Sequence, residues 1–146
     1  MVSVWMWGVL GALLVGGVVL TFVARRPVTG PTLAEAEPQV DEAIRSLAEG
    51  AWAAPRAAQE AAALLAQEDH RRALDRLERA ISRTELPPDA PALLLVRGLI
   101  RYRQAMWRQA FLDLQRAYAR RHGYPKDAMR TLVWAAIRRL ELDGDD

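Results

Sequence analysis

The 146-residue chain contains no cysteine. That excludes disulfides, thiolate metal sites and cysteine nucleophiles together. Histidine is nearly absent as well, with only His70 and His122. A histidine metal site needs convergent ligands, and neither residue has a close His/Asp/Glu cluster in the sequence. None of the three serines, Ser3, Ser46 and Ser82, stands in a Gly-x-Ser-x-Gly turn. There is no glycine loop of the phosphate-cradling kind. Carboxylates such as Glu141 and Asp143 read as ordinary surface residues. With no recognisable constellation for catalysis, the expectation is a non-enzymatic protein without a cofactor or a metal. Lysine occurs once against nineteen arginines. Together with abundant alanine and leucine, this looks like the composition of a bacterial protein from a GC-rich genome. No stretch alternates with period two, so the expected fold class is all-α.

Charge is missing altogether from residues 2–24, and Arg25-Arg26 follow at once. As a helix this run would extend roughly 33 Å at about 1.5 Å per residue, enough for a hydrocarbon core of about 30 Å. A cleaved signal peptide would need a basic start, a shorter apolar stretch and a small-residue cleavage site. The run begins without Lys or Arg and ends in two arginines, so a retained transmembrane anchor over 1–24 is expected. Cytoplasmic flanks carry the Lys/Arg excess, which places the N-terminus outside and the rest of the chain in the cytoplasm, on a bacterial inner membrane. Trp5 and Trp7 fall at the outer interface, and Arg25 and Arg26 at the inner one. Gly8, Ala12 and Gly16 recur every four residues along one side of this helix. Small residues at that spacing let two transmembrane helices approach closely.

The net charge of +2 is unevenly placed. Residues 27–90 hold 12 acidic and 7 basic side chains, whereas 91–146 hold 11 basic and 6 acidic. A polarised domain of this kind can orient on a protein partner or against anionic lipid headgroups. Nucleic acid is not an expected partner, because the arginines are spread over several helices instead of one phosphate-tracking face.

Beyond the anchor, prolines and a glycine mark a juxtamembrane linker over 25–38. A helical domain follows over 39–142, and the acidic tail 143–146 is expected to fray. Apolar spacing predicts helices over about 39–49, 55–67, 70–83, 91–104, 107–121 and 126–142. A shift of 37 residues lays RRALDRLERAISR (71–83) on RQAFLDLQRAYAR (108–120), with six identities in thirteen. Ala73/Ala110, Leu77/Leu114 and Ala80/Ala117 then share one helix face.

On these residues the chain resembles the tetratricopeptide repeat family. Gly98 holds the small position of helix A, Trp107 the aromatic near the turn, and Ala110, Leu114 and Ala117 the helix B pattern. Ala61, His70, Ala73, Leu77 and Ala80 match less fully, and the tryptophan usual early in helix A is missing from both units. The resemblance implies a concave peptide-binding groove along the A helices, lined by Leu95, Leu99, Tyr102 and Arg103. Ala58, Ala62, Leu65 and Ala66 are the first-unit equivalents. It equally allows those positions to be covered by helix 39–49 of the same chain. Two roles follow: an accessory or assembly subunit of a membrane protein complex, held by its anchor, or a tethered adaptor recruiting a cytoplasmic protein segment through the groove.

Overall fold

The computed structural model describes residues 29–143. The expected anchor, with Trp5, Trp7, Gly8, Ala12, Gly16, Arg25 and Arg26, and residues 144–146 of the tail lie outside the described residues. Within them there are six helices and no strand: α1 (Leu33–Ala48), α2 (Arg56–Ala66), α3 (His70–Ser82), α4 (Pro91–Arg103), α5 (Trp107–Ala119) and α6 (Lys126–Asp143). Among these residues no helix is long and apolar enough to cross a membrane.

Five boundaries fall within two residues of those read from the sequence, but α1 does not. It begins at Leu33, inside the stretch expected to be a linker, so the linker ends at Thr32 instead of Pro38. The reason is local. The Thr32 hydroxyl accepts from the Glu35 backbone N–H, and the Glu35 carboxylate accepts from the Thr32 N–H. This reciprocal cap satisfies two helix-end donors at once. Pro38 therefore lies within the helix, where it removes one backbone hydrogen bond. The opposite face of the helix buries Ala36, Val40, Ala43, Ile44 and Leu47, and that burial offsets the lost bond.

The earlier start of α1 reveals a third copy of the repeat. Helices α1, α3 and α5 begin at 33, 70 and 107, each 37 residues apart. Ala36/Ala73/Ala110, Val40/Leu77/Leu114 and Ala43/Ala80/Ala117 are equivalent, and all nine side chains are buried. The same shift relates α2, α4 and α6. Ala58/Leu95/Leu132 and Ala62/Leu99/Ala136 are buried, as are Ala61 and Ala135 at the position of Gly98. A Cβ on Gly98 would lie 2.9 Å from Leu114. Small residues at these sites let paired helices approach closely.

The short turns inside the pairs repeat as well. Glu68 and Ala105, 37 apart, adopt φ of 61° and 62°. The N–H of Asp69 donates to the Leu64 carbonyl and that of Glu68 to Leu65. Met106 and Ala105 donate identically to Arg101 and Tyr102. Both are helix-ending turns that normally favour glycine in the left-handed position.

The six helices form a circuit. Helix α2 pairs with α3 and α4 with α5, and the first and last helices supply the third pair, α1 with α6. Their antiparallel contact is pinned at both ends. The Trp52 ring, just after α1, meets Tyr124, just before α6, with centroids 5.9 Å apart. At the other end Arg138 Nε donates to the Pro31 carbonyl at 2.8 Å. Arg139 Nη2 donates to both carboxylate oxygens of Glu37 at 3.0 and 2.9 Å.

Two substitutions test this packing in thermal or urea melts of the full-length protein. Gly98→Ala should destabilise the domain by about 1–3 kcal/mol through overpacking. Ala105→Gly should stabilise it by roughly 0.5–1 kcal/mol, because it relieves an unfavourable left-handed backbone.

Candidate functional site

The four residues expected to line an open groove are not brought together on a surface. Leu95, Leu99 and Tyr102 are core residues of α4, 0%, 0% and 3% exposed. Their first-unit equivalents Ala58, Ala62 and Leu65 are buried too. The physical reason is the circuit: α4 is enclosed by α1, α2, α3 and α5, so no A-helix face is left open along its length. Only Arg103 stays partly exposed, and it pairs with Asp41 of α1.

What remains of the groove is a cleft at the C-terminal ends of α2 and α4, against α1. Its volume is about 510 Å³. Ile44, Ala48, Leu65 and Ala66 provide an apolar floor, and Asp41, Arg45, Glu49, Glu68 and Arg103 a rim of both signs. Two basic and three acidic groups leave no strong field in it. The Arg45–Glu42 and Arg103–Asp41 pairs hold both arginines. Such a rim orients a polar or zwitterionic segment more readily than a simple ion.

Two other polar arrangements organise the molecule. Asp113 on α5 is buried. It accepts from Arg97 Nε at 2.9 Å, Arg97 Nη2 at 3.0 Å and Arg101 Nη1 at 2.9 Å. The bidentate fork raises the Arg97 pKa, outweighing the effect of desolvation. One repeat earlier the same positions carry the opposite charges: Glu60 on α2 accepts from Arg76 Nε on α3 at 2.8 Å. Arg76, and after it Arg56, holds the Glu60 carboxyl below its ordinary range. Neither pair follows from apolar spacing. The available signal was the 37-residue shift itself, which sets Glu60 on Arg97 and Arg76 on Asp113 with both signs reversed. A carboxylate held by two arginines is an ion-pair anchor, poorly suited to proton transfer.

The second arrangement lies where α4 and α5 meet α1 and α6. The Tyr102 ring stands edge-on to Trp107 at 5.0 Å, and the Arg139 guanidinium lies over Trp107 at 5.1 Å. The buried Tyr102 hydroxyl and Arg139 Nε have no hydrogen-bond partner. The hydroxyl lies near Arg139 and Glu37 without well-formed geometry to either. Burial pushes its pKa up to about 12, against the lowering effect of Arg139. Aromatic and ionic contacts thus converge on the seam that closes the circuit.

His70 opens α3, as expected of a turn residue, and is half-buried. Among the described residues no group of three His, Cys, Asp or Glu side chains could hold a metal ion. No family model matches the chain, and comparison with curated proteins and with solved structures likewise gives no match.

The orphaned Tyr102 hydroxyl yields a signed expectation. Its folded pKa is raised above the unfolded value of 10.0. Its contribution to stability is therefore complete below pH 10 and is lost as pH rises toward 12. Tyr102→Phe should remove that alkaline loss, and at neutral pH it should be neutral or stabilising by up to about 1 kcal/mol, because a buried unpaired hydroxyl disappears. Urea melts of the two proteins across this pH window check both parts. A clear destabilisation at neutral pH would show that the hydroxyl is satisfied.

Proposed function

We propose that this chain is a membrane-anchored, non-enzymatic protein-interaction module, an accessory or assembly subunit of a membrane protein complex. The observation that carries this reading is the uncharged run 2–24 ending in Arg25-Arg26, which has the length and flank of a single-pass anchor. The C-terminal domain then lies in the cytoplasm of a bacterial cell, bounded by the inner membrane. Gly8, Ala12 and Gly16 offer a face on which another transmembrane helix can pack. The helix hairpins resemble tetratricopeptide repeats in their small-residue positions and short turns, with first and last helices paired. That closure argues for a permanently assembled subunit, since repeat proteins that recruit peptides use an open concave face.

A second reading retains the tethered adaptor. The observation favouring it is the cleft beside Arg103, where Ala66 and Glu68 are exposed above the buried Leu65. A short protein segment docked there would contact that apolar floor and the rim charges.

The two readings separate in one experiment. Gly8→Ile with Gly16→Ile is compared with Ala66→Arg plus Arg103→Ala by co-purification in mild detergent, after each variant is shown to fold and to reach the membrane. The glycine pair is expected to lose the partners, because bulk there blocks close helix approach. Loss only in the cleft variant would favour the adaptor. A reporter fused after Asp146 should be active in the cytoplasm alone; activity on the outside would reverse the orientation.

A further inference from the structure

Helix α6 is the last of the six, and one of its sides stays partly open where the equivalent side of α4 is covered. The 37-residue shift sets Arg130, Trp134 and Ile137 on Leu93, Arg97 and Ile100. Leu93 and Ile100 are buried, because α4 lies against α1, α2, α3 and α5, whereas α6 packs on α5 and α1. Trp134 and Ile137 are accordingly half-buried. Among the described residues neither belongs to the core or to the apolar side chains packed against it, unlike Val133 and Leu140 of the same helix. Trp134 also stands where the other two helix pairs place an ion-pair member, Glu60 facing Arg76 and Arg97 facing Asp113. Here that position carries an indole, with the Arg138 guanidinium over its ring at 4.9 Å.

Arg130, Trp134, Ile137 and Glu141 follow at i, i+4, i+7 and i+11, so they form one stripe along the helix. The two charged ends are exposed. The stripe is its own complement. Turned end to end about the midpoint of residues 135 and 136, it sets Arg130 opposite Glu141 and Trp134 opposite Ile137, each pair occurring twice. That is the isologous pattern of a twofold dimer. Laid parallel to itself, the same stripe would set arginine on arginine and glutamate on glutamate. Within α6, Arg130 pairs with Asp127 and Glu141 with Arg138. Solvent-exposed pairs of this kind contribute little, so both charges remain available to a partner across a contact. A cleft of about 330 Å³ bounded by Leu33, Arg138, Glu141 and Leu142 adjoins the C-terminal end of the stripe. Leu142, 67% exposed, extends the apolar surface there.

We propose that this stripe is a dimer interface, on which α6 of a second copy of the chain packs antiparallel. Trp134 and Ile137 of the two copies form its centre, where a large aromatic side chain contributes most. Arg130 and Glu141 close both ends and fix the antiparallel direction, since like charges meeting at a contact disfavour the alternatives. One helix from each copy makes a small interface, so dimers should dissociate on dilution. The inference stands on α6 alone and does not depend on the anchor.

Sedimentation equilibrium of the full-length protein in neutral detergent tests this, with circular dichroism to check the fold of each variant. The unmutated chain should show a monomer–dimer equilibrium. Arg130→Glu alone and Glu141→Arg alone should each weaken it about tenfold or more, because like charges then meet twice. An equimolar mixture of these two variants should regain the dimer, and so should the double variant Arg130→Glu/Glu141→Arg. The double variant restores the contacts between copies and neither of the pairs within α6, so its recovery isolates the former. Trp134→Ala should weaken the dimer by a similar factor, and lysine at position 130 should preserve it. Gly8→Ile/Gly16→Ile should leave the effect of the charge variants unchanged. A monomer at every concentration, or a dimer indifferent to the α6 variants and lost in the glycine variant, would overturn the proposal. Loss in both single variants without recovery in the mixture would overturn it as well, because the antiparallel register demands that recovery.

Discussion

The distance between paired helices is the constraint on which the rest of the domain depends. Alanine is buried at 36, 73 and 110 and at 43, 80 and 117, small residues are buried at 61, 98 and 135, and a Cβ on Gly98 would already press on the Leu114 side chain. Close approach multiplies weak dispersion contacts and leaves no space for water. It also fixes which side chains meet at the edges of each pair. Ion pairs form between α2 and α3 and between α4 and α5 because those helices lie close enough for a carboxylate to reach a guanidinium. The circuit closes because α6 offers the same small face as α2 and α4, and α1 the same face as α3 and α5.

Closure has a consequence for function. An open repeat array presents one face of its A helices to a partner. Here α1, drawn from the stretch nearest the uncharged N-terminal run, stands against α6, and α4 becomes the interior of the molecule. What the described residues leave open beside α4 is the cleft at Arg103. The residues on the seam are of the kind that hold helices together. An Arg139 nitrogen shared between both carboxylate oxygens of Glu37, a cation over Trp107 and an edge-on Tyr102 each contribute modestly, and together they specify one arrangement of the ends. The unpaired Tyr102 hydroxyl is what this packing leaves unsatisfied.

The sequence by itself determined the helical class, five of the six helix spans and the two-copy repeat over 71–83 and 108–120. Those features are local or periodic, and apolar spacing, prolines and helix-ending turns report them directly. Three things were decided only in the tertiary structure. Pro38 argued for a linker, and the cap at Thr32 and Glu35 with the buried face of α1 outweighed it. The reversed ion pairs Glu60–Arg76 and Arg97–Asp113 join residues on different helices, so neither charge alone announces a partner. The groove residues Leu95, Leu99 and Tyr102 became core because α1 and α6, more than a hundred residues apart at Pro31 and Arg138, meet and close the ring. The 37-residue period marks α1 and α6 as repeat helices, but which faces of them meet is decided only when the helices pack.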